Sequence, residues 1–143
     1  MATRPRLKLE PNTPLEHDLQ KDCAKMLARV LRPDVAWWSI DHAHSLNMQP
    51  GRDGKPIGLA EAQKRVARGC KPGVPDMQFF DCGAAFMIEL KRSADEELRE
   101  TQKDRFRELL AAGIQCKVCW DIWQVFNTVH AWGLCRPGTR VMT

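Results

Sequence analysis

A strand that reads as core carries two charges near its end, and this limits what the chain can fold into. Residues 71–92 read KPGVPDMQFFDCGAAFMIELKR. DMQFF (76–80) and AAFMIELK (84–91) are both strand-like, and Asp81-Cys82-Gly83 between them has the composition of a hairpin turn. In period-two register Phe86, Ile88 and Leu90 face one way, while Met87, Glu89 and Lys91 face the other. The core face is intact, and the two charges share the opposite face. Asp76 opens the neighbouring strand just after Pro75, whose ring restricts the backbone there. Adjacent strands lie about 4.8 Å apart, so Asp76 and Glu89 can converge on one point.

The elements around this hairpin follow from periodicity and punctuation. Thr13, Pro14 and Glu16 form a helix start: an N-cap, a proline in the first turn and the acid of a capping box. Leu15, Leu19, Met26, Leu27, Val30 and Leu31 then repeat at helical spacing as far as Arg32-Pro33. VAWWSI (35–40) is a short strand, and the Gly-, Pro- and Asn-rich residues 41–58 are a long loop. Residues 59–69 form a short basic helix closed by Gly69. After the hairpin, a helix is expected over 94–112, capped by Gly113, with Leu98, Gln102, Phe106, Leu109 and Leu110 on one stripe. IQCKVCW (114–120) is a strand. Asp121 caps a last helix, with Ile122, Val125, Phe126 and Val129 on one stripe, that stops near Gly133. The expected organisation is a basic arm (1–12), one domain (13–133) and a tail (134–143). Its fold class is α/β, a central mixed sheet flanked by helices.

Composition removes several functions. The chain has 143 residues, 43% hydrophobic and 28% charged, with a formal net charge of +4. That suits one folded domain and is compatible with a polyanionic partner. No apolar run approaches the roughly 18 residues of a membrane span. The basic N-terminus has no apolar signal core, so a cytoplasmic location is expected. With no tyrosine in the chain, covalent tyrosyl chemistry is excluded. The six cysteines are Cys23, Cys70, Cys82, Cys116, Cys119 and Cys135. They read as reduced small hydrophobes rather than a zinc site. Cys116 and Cys119 are three apart on a strand, so they point to opposite faces.

Two converging carboxylates repel unless a positive group lies between them. An all-oxygen pair suits a hard divalent cation, Mg²⁺ or Mn²⁺. Lys91 beside it could orient or deprotonate a water, or hold a phosphate oxygen. Together these groups describe phosphodiester hydrolysis. Gln102 lies within an apolar stripe, and burying its amide without partners would cost about 1–3 kcal/mol. A polar cleft at Asp76, Glu89 and Lys91 would satisfy it. The competing interpretation is a surface salt bridge on a solvated sheet face. Lys64, Arg65, Arg68 and Lys71 form a basic patch that leads into Asp76, either a phosphate-contacting surface or a solvated helix face. His42 and His44 are loop residues near the cleft, with metal or phosphate contact as the sharper alternative. Trp37 and Trp38 are read as core and interface, and Trp123 and Trp132 as a possible dimer surface.

The motifs Pro75-Asp76 and Glu89-Leu90-Lys91 resemble the PD-(D/E)xK nuclease signature. More narrowly, RVARGCKPGVPD, MIELK, Gln102 and the closing GIQCKVCWDIWQVFNTVHAWG are similar to the VRR-NUC (virus-type replication-repair nuclease) domain over residues 13–133. The resemblance implies a restriction-endonuclease-like core in α-β-β-β-α-β order and metal-dependent DNA cleavage with Mg²⁺ or Mn²⁺. Asp76 and Glu89 would bind metal with the Leu90 carbonyl, Lys91 would be the catalytic lysine, and Gln102 and Glu16 would be auxiliary groups. It also implies branched or junction DNA as substrate, a homodimer, and the cytoplasm of a bacterial or phage-infected cell. One departure is HSLNMQPGRDG, where related sequences often carry an Asn-Gly-Gly-type stretch. The alternatives are a nuclease-fold DNA-binding module without catalysis, a flap or nicking nuclease acting with a larger partner, and, resting on cysteine count alone, a zinc-binding adaptor.

Overall fold

The structure is a computed structural model that describes residues 16–40, 52–55 and 57–140. The N-cap at Thr13, with Pro14 and Leu15, lies outside the described residues, as do residues 1–12, His42 and His44. The elements are α1 (Glu16–Val30), β1 (Ala36–Ser39), α2 (Ile57–Ala67), β2 (Met77–Asp81), β3 (Ala84–Leu90), α3 (Glu100–Ala111), β4 (Gln115–Cys119) and α4 (Ile122–Ala131). The described strands form one sheet in the order β1-β2-β3-β4. The first two pairings are antiparallel, and β3 and β4 are parallel. The expected mixed α/β sheet is therefore present.

The β2–β3 hairpin holds its expected register. Met77 pairs with Ile88, and Asp81 pairs with Ala84. The turn is thus only Cys82-Gly83, with φ of 47° and 81°. Two positive φ values in a two-residue loop match the twist of a hairpin, and the second falls on glycine, where it costs least. β3 and β4 are joined through α3, the crossover that parallel strands require.

Helices α1 and α4 cover one face of the sheet. Leu19, Cys23 and Leu27, spaced four apart on α1, are all buried, as are Val125 and Val129 on α4. They meet Met77, Phe79, Phe86, Ile88 and Leu90. Each such fully buried side chain contributes about 1.5–3 kcal/mol of transfer free energy. Arg32 fastens the end of α1 to two other elements. It donates to Asp81 at 2.6 Å and to the Gly133 carbonyl. The Arg32 guanidinium holds the Asp81 carboxyl below the usual carboxylate range. Asp121 caps α4 as expected, accepting the Gln124 N–H at 2.8 Å.

Four features differ from the expectations. Helix α3 begins at Glu100, not near residue 94. Glu96 instead holds a turn, accepting the Arg92 N–H at 2.8 Å, and the Arg99 N–H bonds to Gln102 Oε1 at 2.9 Å as the helix starts. The stripe expected on α3 is only partly covered, with Phe106 and Leu109 half-buried and Leu110 57% exposed. Trp132 belongs to the intramolecular core, 4.9 Å from Phe86 and 6.3 Å from Phe79 between ring centroids. It is partly buried against that core, whereas Trp123 is 52% exposed. Cys23 and Cys119 are buried, but Cys70 and Cys82 are exposed, because one follows α2 and the other occupies the hairpin turn. The residues just after α4 are also tied in: Leu134 is fully buried, and Leu31 bridges to Cys135.

Replacing Trp132 by alanine should destabilise the fold by about 3 kcal/mol, the lower end for a buried aromatic. Trp123→Ala should stay within about 0.5 kcal/mol of the parent. Urea unfolding of both variants checks the assignment, and equal losses would contradict it. Burial also pushes the Cys23 thiol up to about 12. An aromatic disulfide reagent at neutral pH should therefore modify Cys70 and Cys82 quickly, and Cys23 and Cys119 only as the protein unfolds. Mass spectrometry of a labelling time course reads this directly.

Candidate functional site

The hairpin register carries the site. Met77 pairs with Ile88, so one step further along the same ladder Asp76 comes opposite Glu89. Asp76 is held from two sides. Its carbonyl accepts the Ile40 N–H at 2.7 Å, and its Oδ2 accepts the Leu90 N–H at 2.7 Å. The Lys91 N–H turns the other way, to the Cys119 carbonyl of β4 at 2.9 Å. N–H and C=O of one strand residue share an edge, so the Leu90 carbonyl lies on the Asp76 side of β3.

On that face Glu89, Lys91 and Gln102 form a connected chain. Gln102 Nε2 donates to Glu89 Oε1 at 2.5 Å. Gln102 Oε1 accepts from Lys91 Nζ at 2.8 Å. Lys91 Nζ lies 3.9 Å from Glu89 Oε1 and 4.0 Å from Glu96 Oε1. The chemistry of the partners fixes the amide orientation, since a flipped Gln102 would turn its NH₂ on an ammonium and its oxygen on a carboxylate. The same Oε1 accepts the Arg99 N–H, so one side chain both starts α3 and joins the charged pair. Asp76, Glu89 and Lys91 are 4%, 2% and 3% exposed. A salt bridge on a solvated sheet face is ruled out, because neither partner meets solvent.

A glycine sets the distance between this chain and the loop before Asp76. Gly73 has φ +80°, and a Cβ built there would lie 2.3 Å from the Thr101 carbonyl oxygen and 2.6 Å from the Gln102 nitrogen. The 70–75 loop therefore rests directly on the first turn of α3. Lys71 adds a second tie, with its Nζ 2.7 Å from Glu108 Oε1. That ammonium holds the Glu108 carboxyl below its ordinary range.

These groups floor a cleft of about 760 Å³. Among the expected DNA-contacting residues it takes in Arg65 and Lys71, but not Lys64 or Arg68. Lys64 pairs with Glu61 on its own helix at 3.4 Å. On α2, Ala62, Arg65 and Val66 share the cleft side at helical spacing, whereas Lys64 and Arg68, the latter just past the helix end, do not line it. Glu16 is the first residue of α1, and the position of its carboxylate lies outside the described residues. The next residue, His17, lines the cleft, as does Gln20, which donates to the Ile40 carbonyl at 3.4 Å. Arg92, Glu96 and Arg99 were not singled out from the sequence. Arg92 and Arg99 line the cleft, and Glu96 approaches Lys91. Their signal was adjacency: Arg92 follows Lys91 directly, and Arg99 precedes Gln102 by three residues, the spacing of a capping box.

The donor set defines what could bind. Among the described residues no group of three or more His, Cys, Asp or Glu side chains could hold a metal ion, so a zinc cage is not formed there. Asp76, Glu89 and the Leu90 carbonyl offer oxygens alone. That suits Mg²⁺ or Mn²⁺, since Mg²⁺ commonly takes one or two carboxylates and completes its shell with water and substrate oxygens.

Gly73→Ala should lower stability by about 1–3 kcal/mol, since it meets both strain at positive φ and backbone contact. Gly69→Ala is the control, with φ +87° but nothing within 4 Å of the added carbon. It should lose only the left-handed cost of about 1–2 kcal/mol and should not disturb Gln102. Denaturant titration with the Gln102 side-chain amide signals followed by NMR separates the two, and identical behaviour would contradict the seat at Gly73.

Among known proteins, no family model, no curated protein and no solved structure matches this chain.

Proposed function

We propose that this protein is a divalent-metal-dependent DNA endonuclease of the PD-(D/E)xK type, similar to VRR-NUC domains. The observation that carries this reading is the buried Glu89–Gln102–Lys91 chain beside Asp76. Burying ionised groups costs several kcal/mol each unless they are paired and hydrogen-bonded. Such a cluster opening into a basic cleft supports a hydrolytic site. In this reading Asp76, Glu89 and the Leu90 carbonyl hold Mg²⁺ or Mn²⁺. A bound cation of that kind makes hydroxide available near neutral pH and offsets charge on the phosphate oxygens.

The chain's own residues do the rest. Lys91 orients the attacking water or supports the charge that grows on the phosphate. Gln102 fixes the Lys91 ammonium and steadies Glu89, so neither has to reorganise during the reaction. Arg65 and the other basic residues of the cleft hold flanking phosphates. The proposed substrate is branched or junction DNA, and a flap or splayed branch places an unpaired strand next to a duplex. One site cuts one strand per encounter, so paired cuts call for a two-fold dimer, with exposed Trp123 as the aromatic available to its surface. A cytoplasmic location accords with the absence, among the described residues, of a helix long and apolar enough to cross a membrane.

Lys91→Ala should lower Mn²⁺-supported cleavage by about 10²–10⁴-fold and leave DNA affinity within about tenfold, or roughly 1.4 kcal/mol. Asp76→Ala should lose both cleavage and metal affinity, and EDTA should stop the parent enzyme. Gel assays on flap, junction, single-strand and duplex DNA, with parallel binding curves, read all three. Wild-type cutting by Lys91→Ala, or robust cutting in EDTA, would sink the mechanism. DNA binding without cleavage in Mg²⁺ or Mn²⁺ would make the chain a binding module.

A further inference from the structure

Three arginines of the cleft make no ion pair among the described residues. Arg65 comes from α2, and Arg92 and Arg99 from the segment between β3 and α3. Among the described residues no ion pair engages any of them, whereas Lys71 and Lys91 are paired. Among the described residues the only acids lining the cleft are Asp76 and Glu89 on its floor. The charged side chains on its described walls are therefore all positive.

The same walls carry apolar surface. Ile40, Val66, Pro72 and Val74 line the cleft between the arginines. Val66 is 65% exposed. A duplex offers a protein its phosphates and groove edges and keeps its base faces stacked. It meets an apolar side chain only at groove edges such as the thymine methyl, never with a base face. An unpaired strand exposes base faces and sugars as well as phosphates, and proteins that hold one combine a positive track with side chains that cover the bases. The volume, about 760 Å³, falls in the ligand-pocket range of about 300–1,000 Å³, which suits a few nucleotides rather than a bound duplex.

We infer that the cleft takes a single unpaired DNA strand between α2 and residues 92–102. Its phosphates lie on Arg65, Arg92 and Arg99, and its sugars and base edges lie against Val66 and Val74. This rests on the nuclease reading for the role of the floor and adds the form of DNA that reaches it. It also gives structure selectivity a cause: a branch is cut because its unpaired arm fits between walls that exclude a duplex.

The test is fluorescence anisotropy of the full chain in EDTA. The probes are a labelled thymidine homopolymer and a blunt hairpin duplex with the same number of phosphates, each at several salt concentrations. The homopolymer should bind at least tenfold more tightly. Replacing Arg65, Arg92 and Arg99 together by alanine should reduce its log–log salt slope by about two, at roughly 0.7 per phosphate contact on a single strand. Lys64→Ala with Arg68→Ala should leave the slope unchanged. Val66→Asp, at an exposed position where folding is not at stake, should weaken homopolymer binding at least fivefold. Equal or tighter duplex binding, binding to neither probe, or an unchanged slope in the folded triple variant would overturn the inference. Incubating a branched substrate, the same homopolymer carried as a flap on a duplex, with Mn²⁺ separates the two claims. Strand preference without cleavage counts against the nuclease alone, and cleavage without strand preference counts against the unpaired-strand cleft alone.

Discussion

Asp76, Glu89 and Lys91 are each less than 5% exposed, and this burial constrains everything around them. Water would solvate each ion better than a protein interior does, and apolar residues of similar volume would often stabilise such a site more. The cost is offset only if every charge finds a partner in the right place. Asp76 takes the Leu90 N–H, Lys91 takes the Gln102 carbonyl oxygen, and Glu89 takes the Gln102 amide. Several local choices follow from that need. The hairpin turn must be two residues long to bring Asp76 opposite Glu89. Helix α3 must start where Gln102 can reach both the strand and the Arg99 N–H. Gly73 must lack a side chain so that the loop can rest on that first turn.

Most of the sheet was legible from local signals. The alternation of Phe86, Ile88 and Leu90 with Met87, Glu89 and Lys91 states which face each residue takes, and the turn residues fix the register. The inward polarity of Gln102 was also readable, as an amide inside an apolar stripe. The start of α3 was not. Ala94-Asp95-Glu96-Glu97 has helical composition, and a turn forms there instead because the Glu96 carboxylate accepts the Arg92 N–H and the Glu96 N–H bonds back to the Ser93 carbonyl. Trp132 likewise could not be placed, because a tryptophan near a helix end packs inward or outward depending on what the sheet presents, here Phe79 and Phe86.

The basic patch shows a different limit. Proximity in sequence to Asp76 grouped Lys64, Arg65, Arg68 and Lys71 together. Helical geometry separates them, since Arg65 shares its side of α2 with Ala62 and Val66. Lys71 reaches the cleft already paired with Glu108, so its first role is to tie the loop to α3. The cleft arginines with no ion pair among the described residues come from two places, Arg65 from α2 and Arg92 and Arg99 from the turn segment before α3. Charge counting along a chain finds a basic protein, but it takes the fold to say which cations share a wall.

The central claim is that Asp76 and Glu89 are brought together to share one cation. Crystals grown with Mn²⁺ and measured at the manganese absorption edge test it most directly. The account predicts one strong anomalous peak within about 2.0–2.3 Å of an oxygen from each carboxylate, as hard-cation coordination requires, lost on Asp76→Asn or Glu89→Gln with the sheet unchanged. A fully loaded crystal with no peak there, or with manganese bound only at other surface carboxylates, would contradict it.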